Sequence, residues 1–164
     1  MDVSDKVLLP ELSNIIIGSF YYVYTDLGTG FLESVYKHAL AIVLSEQGIS
    51  CRVEYPITIR FHGIDVGRYR ADLVVEDQII LECKACTALT PGHYAQVLHY
   101  LKATNLPLGI LLNFGSKPSF KRLIRTSTRD NHKLRTANYV NEANDANLIV
   151  RHAEPPHDGE QQRK

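Results

Sequence analysis

Asp72, Glu82 and Lys84 are residues whose types and spacing can do chemistry together. Asp72 lies in Ala71-Asp72-Leu73-Val74-Val75, an acid inside an apolar, strand-like run. Glu82 and Lys84 lie in Ile79-Ile80-Leu81-Glu82-Cys83-Lys84-Ala85, where period-two alternation puts both on one face. Whether Asp72 joins them depends on the intervening loop. A two-residue turn at Asp77-Gln78 pairs Glu76 with Ile79 and sends the two acids to opposite faces. A three-residue loop, Glu76-Asp77-Gln78, pairs Val75 with Ile79 and sets Asp72 across from Glu82, with Cβ atoms roughly 4.5–5.5 Å apart. Like charges so placed destabilise a sheet and call for a cation between them. Mg2+ or Mn2+ would suit such a pair, because hard cations take carboxylate oxygens, waters and substrate phosphate. A bound ion acidifies its water and neutralises charge growing on phosphate oxygens. A neighbouring lysine, its pKa lowered by burial and by the ion, can orient or deprotonate that water.

Other polar residues stand where the pattern calls for apolar ones. On a helical wheel Glu33 falls between Leu40 and Leu44, inside an apolar arc, and a carboxylate there needs a partner or a metal. The plainer reading pairs it with Lys37 or a neighbouring strand. Gly30, Glu33 and Tyr36 share one face through their spacing of three. Gln96 and Tyr100 share a helix face at i, i+4, either lining a site or simply packing on the sheet. Arg68 and Arg70 have the parity of Asp72; they contact substrate phosphates or balance the acids. Cys83, Cys86, His93 and His99 can be drawn as a zinc set, but the Cys-to-His gap is far shorter than zinc fingers use, and buried thiols are the better reading.

The elements that position these residues follow from periodicity. Val7 to Tyr24 reads as a helix, ended by Gly28-Thr29-Gly30. A second runs from about Phe31 to Gln47, closed by Gly48. Arg52 to Phe61, Val66 to Val75 and Ile79 to Ala85 read as strands. Thr90-Pro91 opens a helix that continues to about Thr104, and Leu108 to Phe114 is a buried strand. Phe120 to Arg125 is either a strand or a helix start. The order α-α-β-β-β-α-β predicts an α/β domain, one mixed central sheet flanked by helices. Residues 1–150 form that single domain and 151–164 a polar, disordered tail containing Pro155-Pro156.

The chain has 164 residues, 45% apolar and 22% charged, which fits one globular domain and excludes collagen, coiled coil and disorder. Three cysteines are too few for a disulfide scaffold, so a reducing, cytoplasmic setting is expected. No apolar run approaches the ~20 residues of a membrane helix, and Asp2 and Asp5 do not suit a signal peptide. Lys plus Arg equals Asp plus Glu, at 18 each. From Gly115 to Arg135, however, seven bases (Lys117, Lys121, Arg122, Arg125, Arg129, Lys133 and Arg135) stand against Asp130 alone, a net +6 in a chain of net charge +0. That stretch is either a polyanion contact or a solvated face.

Gly30-x-x-Glu33-x-x-Tyr36 resembles the signature of the GxxExxY proteins, a branch of the PD-(D/E)xK nuclease superfamily. The likeness continues through Tyr69 to Val75, Leu81 to Ala85, His93-Tyr94-Ala95-Gln96, Tyr100-Leu101-Lys102 and Gly109 to Gly115, and stops at about Thr126. Five ordered motifs carry far more weight than a lone D…ExK. The resemblance implies a restriction-endonuclease-like core, with Asp72, Glu82 and the Cys83 main-chain carbonyl as metal ligands. It makes Glu33 the helix-borne acid completing the metal site and Lys84 the water-activating or charge-stabilising amine. Gln96 and Tyr100 resemble the Q…Y motif of the recombination-nuclease branch, and Tyr36, Arg68, Arg70 and Arg122 complete the candidate substrate contacts. Ala71 stands in place of the superfamily's proline, and Tyr24 where many relatives carry histidine.

The expected function is therefore a Mg2+- or Mn2+-dependent nuclease hydrolysing phosphodiester bonds, with DNA the expected nucleic acid and a homodimer admitted. The alternative is a non-catalytic nucleic-acid-binding or protein-interaction module on the same fold.

Overall fold

The computed structural model describes residues 3–125. Along the chain run α1 (Val3–Leu27), α2 (Glu33–Glu46), β1 (Cys51–Phe61), β2 (Ile64–Val75), β3 (Ile79–Lys84), α3 (Pro91–Thr104), β4 (Leu108–Asn113) and β5 (Ser119–Ile124). The expected order holds, and the undecided Phe120 segment is a strand. The expected tail, the part of the basic stretch beyond Arg125 and the domain's boundary at residue 150 lie outside the described residues.

The strands make one mixed sheet in the order β1-β2-β3-β4-β5. β3 and β4 are parallel, joined through α3; the other neighbours are antiparallel. β4 is buried along its whole length and β3 up to Lys84, as central strands covered on both faces should be. On one face, Ile16, Phe20, Leu40 and Leu44 of α1 and α2 pack on Leu73, Val75, Leu81, Ile110 and Leu112. On the other, Val97, Tyr100 and Leu101 of α3 pack on Ala71, Val74, Ile80 and Leu111.

β2 departs from strict alternation. Ala71 and Val74 belong to the α3-side core, Leu73 and Val75 to the other. Residues of opposite parity cannot share a face of a regular strand, so the strand is irregular at Asp72. On β1 the register places Glu54 opposite Asp72; Val53↔Leu73 and Tyr55↔Ala71 pair on either side, and Glu54 has φ 54°. A left-handed glutamate in mid-strand is strained and marks a place where structure serves something besides the ladder.

The close seating of α3 makes a testable point. A Cβ added at Gly109 would run into the Val97 side chain and meet Leu101 at 3.4 Å. Gly109→Ala should therefore destabilise the fold by about 1–3 kcal/mol in urea unfolding, the usual cost of overpacking a core.

Candidate active site

The loop that decides the geometry is the three-residue one. Gln78 N donates to Val75 O at 2.9 Å, and Val75 pairs with Ile79. Glu76 and Asp77 both take left-handed φ, 49° and 53°, as a primed hairpin turn requires. From Val75↔Ile79 the register runs to Leu73↔Leu81 and stops. One step further Asp72 comes level with Glu82, and there the strands part. Cys83 N–H, instead of continuing the ladder, donates to Asp72 Oδ2 at 2.8 Å.

Glu82 is 3% exposed. Its Oε1 accepts from Lys84 Nζ at 2.8 Å and from Gln96 Nε2 at 2.7 Å, and Gln96 Nε2 also donates to Tyr100 Oη at 2.9 Å. Gln96 and Tyr100 are thus brought to Glu82. Glu82 Oε2 is buried and without a hydrogen-bond partner. Burial, then the Asp72 charge, pushes the Glu82 carboxyl up to about 6. The expected lowering of the Lys84 pKa needs a bound ion as well as burial, and without the ion the balance is different. Burial pulls its pKa down, but the hydrogen bond and charge of Glu82 outweigh this and hold it above its ordinary value. In the metal-free chain Lys84 is a charged donor and no base.

Asp72 Oδ1 lies 3.4 Å from the ammonium of Lys37, a residue of α2 that is 8% exposed. Lys37 also donates to Glu54 Oε1 at 3.0 Å, and Arg70 Nη1 holds Glu54 Oε2 at 2.7 Å. The hydrogen bonds from Lys37 and Arg70 keep the Glu54 carboxyl below its usual range. Neither Lys37 nor Glu54 was singled out by the sequence as part of the centre.

A family model described as the PD-(D/E)XK nuclease superfamily matches residues 10–124, well over half of the chain. The chain belongs to the PD-(D/E)XK nuclease superfamily. Members of this superfamily are generally dependent on a divalent metal; the match does not distinguish the GxxExxY branch. Among solved structures the chain is similar to one described as "Crystal structure of SSO0001", with 19% identity, 58% of this chain and 51% of that one covered, and a TM-score of 0.46. It is also similar to an alkaline exonuclease from Laribacter hongkongensis, with 17% identity, 54% of each chain covered and a TM-score of 0.42. The chain spans about half the length of these two structures. No curated protein matches it.

Whether this PD-(D/E)XK centre suits a divalent ion is tested by Glu82 Oε2. A carboxylate oxygen buried without a donor is what a hard cation engages, and Asp72 Oδ1 supplies a second oxygen. Among the described residues no group of three or more His, Cys, Asp or Glu side chains is placed to hold an ion. The fit is thus to an ion held by two carboxylates, its remaining positions falling to main-chain oxygen, water and phosphate, which Mg2+ accepts.

Other expected site residues take different places. Glu33 is the first residue of α2 and is exposed, not set in the apolar stripe. Its Oε1 accepts from Ala85 N at 3.3 Å, and it acts electrostatically on Lys84. It therefore flanks the amine at the end of β3. Tyr36 is fully buried; its hydroxyl donates to Gly28 O at 2.9 Å and accepts from Phe31 N at 3.2 Å, and its ring stacks on Phe114 at 4.4 Å. It fastens the glycine loop rather than facing substrate. Arg68 pairs with Asp65 at 3.4 Å near the hairpin end, and Arg70 with Glu54, and both side chains stay largely exposed. Arg122 reaches α1, donating to Ser13 Oγ at 2.7 Å and Asn14 Oδ1 at 3.0 Å. The zinc drawing fails on geometry: His93 Nδ1 accepts from Thr90 N in the cap of α3, and Cys86 Sγ donates to Ala88 O. Cys83 is buried and its thiol pushed well up by that burial, so it is inert.

Two outcomes are expected. Ionised Glu82 is a cost in the metal-free fold, because its carboxyl rises from 4.5 to about 6; the cost is absent below about pH 4.5 and complete above about 6. Glu82→Gln should then stabilise the metal-free protein by about 2 kcal/mol at pH 7.5, with the gain fading as pH falls through 6, as read by urea melts. Arg122→Ala should cost about 1–2 kcal/mol of stability, read by the same urea melts, because it removes the bonds to Ser13 and Asn14.

Proposed function

We propose that this PD-(D/E)XK protein is a Mg2+- or Mn2+-dependent phosphodiesterase that hydrolyses nucleic acid, with DNA as its substrate, and that it belongs to the GxxExxY branch. The carrying observation is the buried, partnerless Glu82 Oε2 beside Asp72 and Lys84. Asp72 and Glu82, with the Cys83 carbonyl, would hold the ion. When bound, it supplies an acidified water and a counter-charge for the phosphate. Lys84, a protonated donor fixed on Glu82, orients the attacking water or meets charge growing on a phosphate oxygen. Gln96 and Tyr100 hold Glu82 in place from α3. Three free thiols support action in a reducing compartment, the cytoplasm.

The second reading, a non-catalytic binding module, draws on one observation, that no three acidic or ligating side chains converge among the described residues. Cleavage separates the two. Over single-stranded, double-stranded and branched DNA and the matching RNA, the enzyme reading expects ion-dependent cleavage of at least one form. Lys84→Ala should lower it by about a hundredfold or more, and Asp72→Asn should abolish it with the fold retained. Binding without cleavage in either ion decides for the module.

A further inference from the structure

We propose that Lys37 is a built-in counter-cation of the acidic centre, shared between Asp72 and Glu54, and that this sharing sets how tightly the centre takes a divalent ion. The inference rests on the metal-dependent reading above. Lys37 comes from α2, on the opposite side of the centre from α3, and only its ammonium reaches the carboxylates. It lies 3.4 Å from Asp72 Oδ1, the oxygen left over after Cys83 N–H has taken Oδ2. That oxygen is the one an ion would need. A buried ammonium must keep a partner, so Lys37 can release Asp72 only if another acceptor is in place. Glu54 is that acceptor, already at 3.0 Å and anchored on its far side by Arg70. Its left-handed φ of 54° in mid-strand shows that the chain accepts backbone strain at this position.

Linkage then fixes the signs. Whatever occupies Asp72 in the ion-free state competes with the ion. Without Lys37 only Lys84 shields the two carboxylates, so the ion-free fold weakens and the ion binds more tightly. Without the Glu54 charge Lys37 turns wholly to Asp72, and the ion binds more weakly. A merely structural lysine would lower stability in both states and leave affinity alone.

The test is calorimetric titration of the full chain with Mg2+ and with Mn2+, alongside thermal melts with and without ion. Lys37→Met should tighten the dissociation constant about tenfold and enlarge the ion-induced rise in Tm, while Lys37→Arg returns towards wild type. Glu54→Gln, a change at an exposed side chain, should weaken binding several-fold. Unchanged constants in both variants, or shifts in the same direction, overturn the role of Lys37 while wild-type binding leaves the metal-dependent reading standing. If wild type takes up neither ion, that reading falls and the inference with it. Should Lys37→Met fail to fold, Glu54→Gln decides alone, and an unchanged or tighter constant overturns the proposal.

Discussion

The hydrogen bond from Cys83 N–H to Asp72 Oδ2 is the constraint on which the centre depends. It joins Asp72, one residue beyond the last β2–β3 pair, to Cys83, two residues beyond it, where a continuing ladder would offer a main-chain acceptor. By substituting a carboxylate for that acceptor, the chain ends the ladder without leaving a buried N–H unpaired. The same bond fixes Asp72 against β3, close enough for its charge to raise the Glu82 pKa. Were the ladder to run on, Asp72 would be an ordinary strand residue repelling its neighbour across the sheet.

Two ammonium groups approach this pair from different elements. Lys84 meets Glu82 from its own strand, and Lys37 meets Asp72 from α2. For Glu82 they are not enough. Desolvation together with the Asp72 charge outweighs Lys84, leaving a carboxyl with an elevated pKa and an oxygen without a donor. Such a group persists because other interactions over-determine it: Gln96 grips Oε1, Tyr100 grips Gln96, and α3 is seated on Gly109 without room for a methyl group. The packing of one helix on the sheet thus holds an unfavourable buried charge in place.

Much of this was readable from residue order. Alternation put Glu82 and Lys84 on one face and i, i+4 spacing brought Gln96 and Tyr100 together, while the sequence left two loop lengths open for Asp72 and the structure takes the three-residue one. These relations are local, or depend on one short turn. Lys37 and Glu54 were not readable for a definite reason. The β1–β2 hairpin begins with Phe61↔Ile64, and its register shifts between Ile59 and Arg60. Counting from the turn without that bulge puts Glu54 opposite Ala71; with it, Glu54 stands opposite Asp72. Nothing in the local pattern announces the extra residue. The wheel erred at Glu33 because the helix starts there, where a side chain escapes the stripe assigned by angle alone. Arg122 was assigned from charge density, which is blind to the hydroxyl and amide that α1 presents to it.

The left-handed Glu54 also explains why the irregularity of β2 is tolerable. A strand that moves Ala71 and Val74 to one core and Leu73 and Val75 to the other would waste apolar contacts if its partner were regular. β1 answers with a left-handed residue at the matching register, so both strands turn together and the pairs on either side, Val53↔Leu73 and Tyr55↔Ala71, survive. A local reversal in one strand alone would break the β1–β2 ladder; matched in two, it costs the strain of one glutamate. That glutamate then carries the charge facing Lys37. Backbone distortion and electrostatic balance are therefore the same device at this position, and a glycine there would relieve the first while abolishing the second.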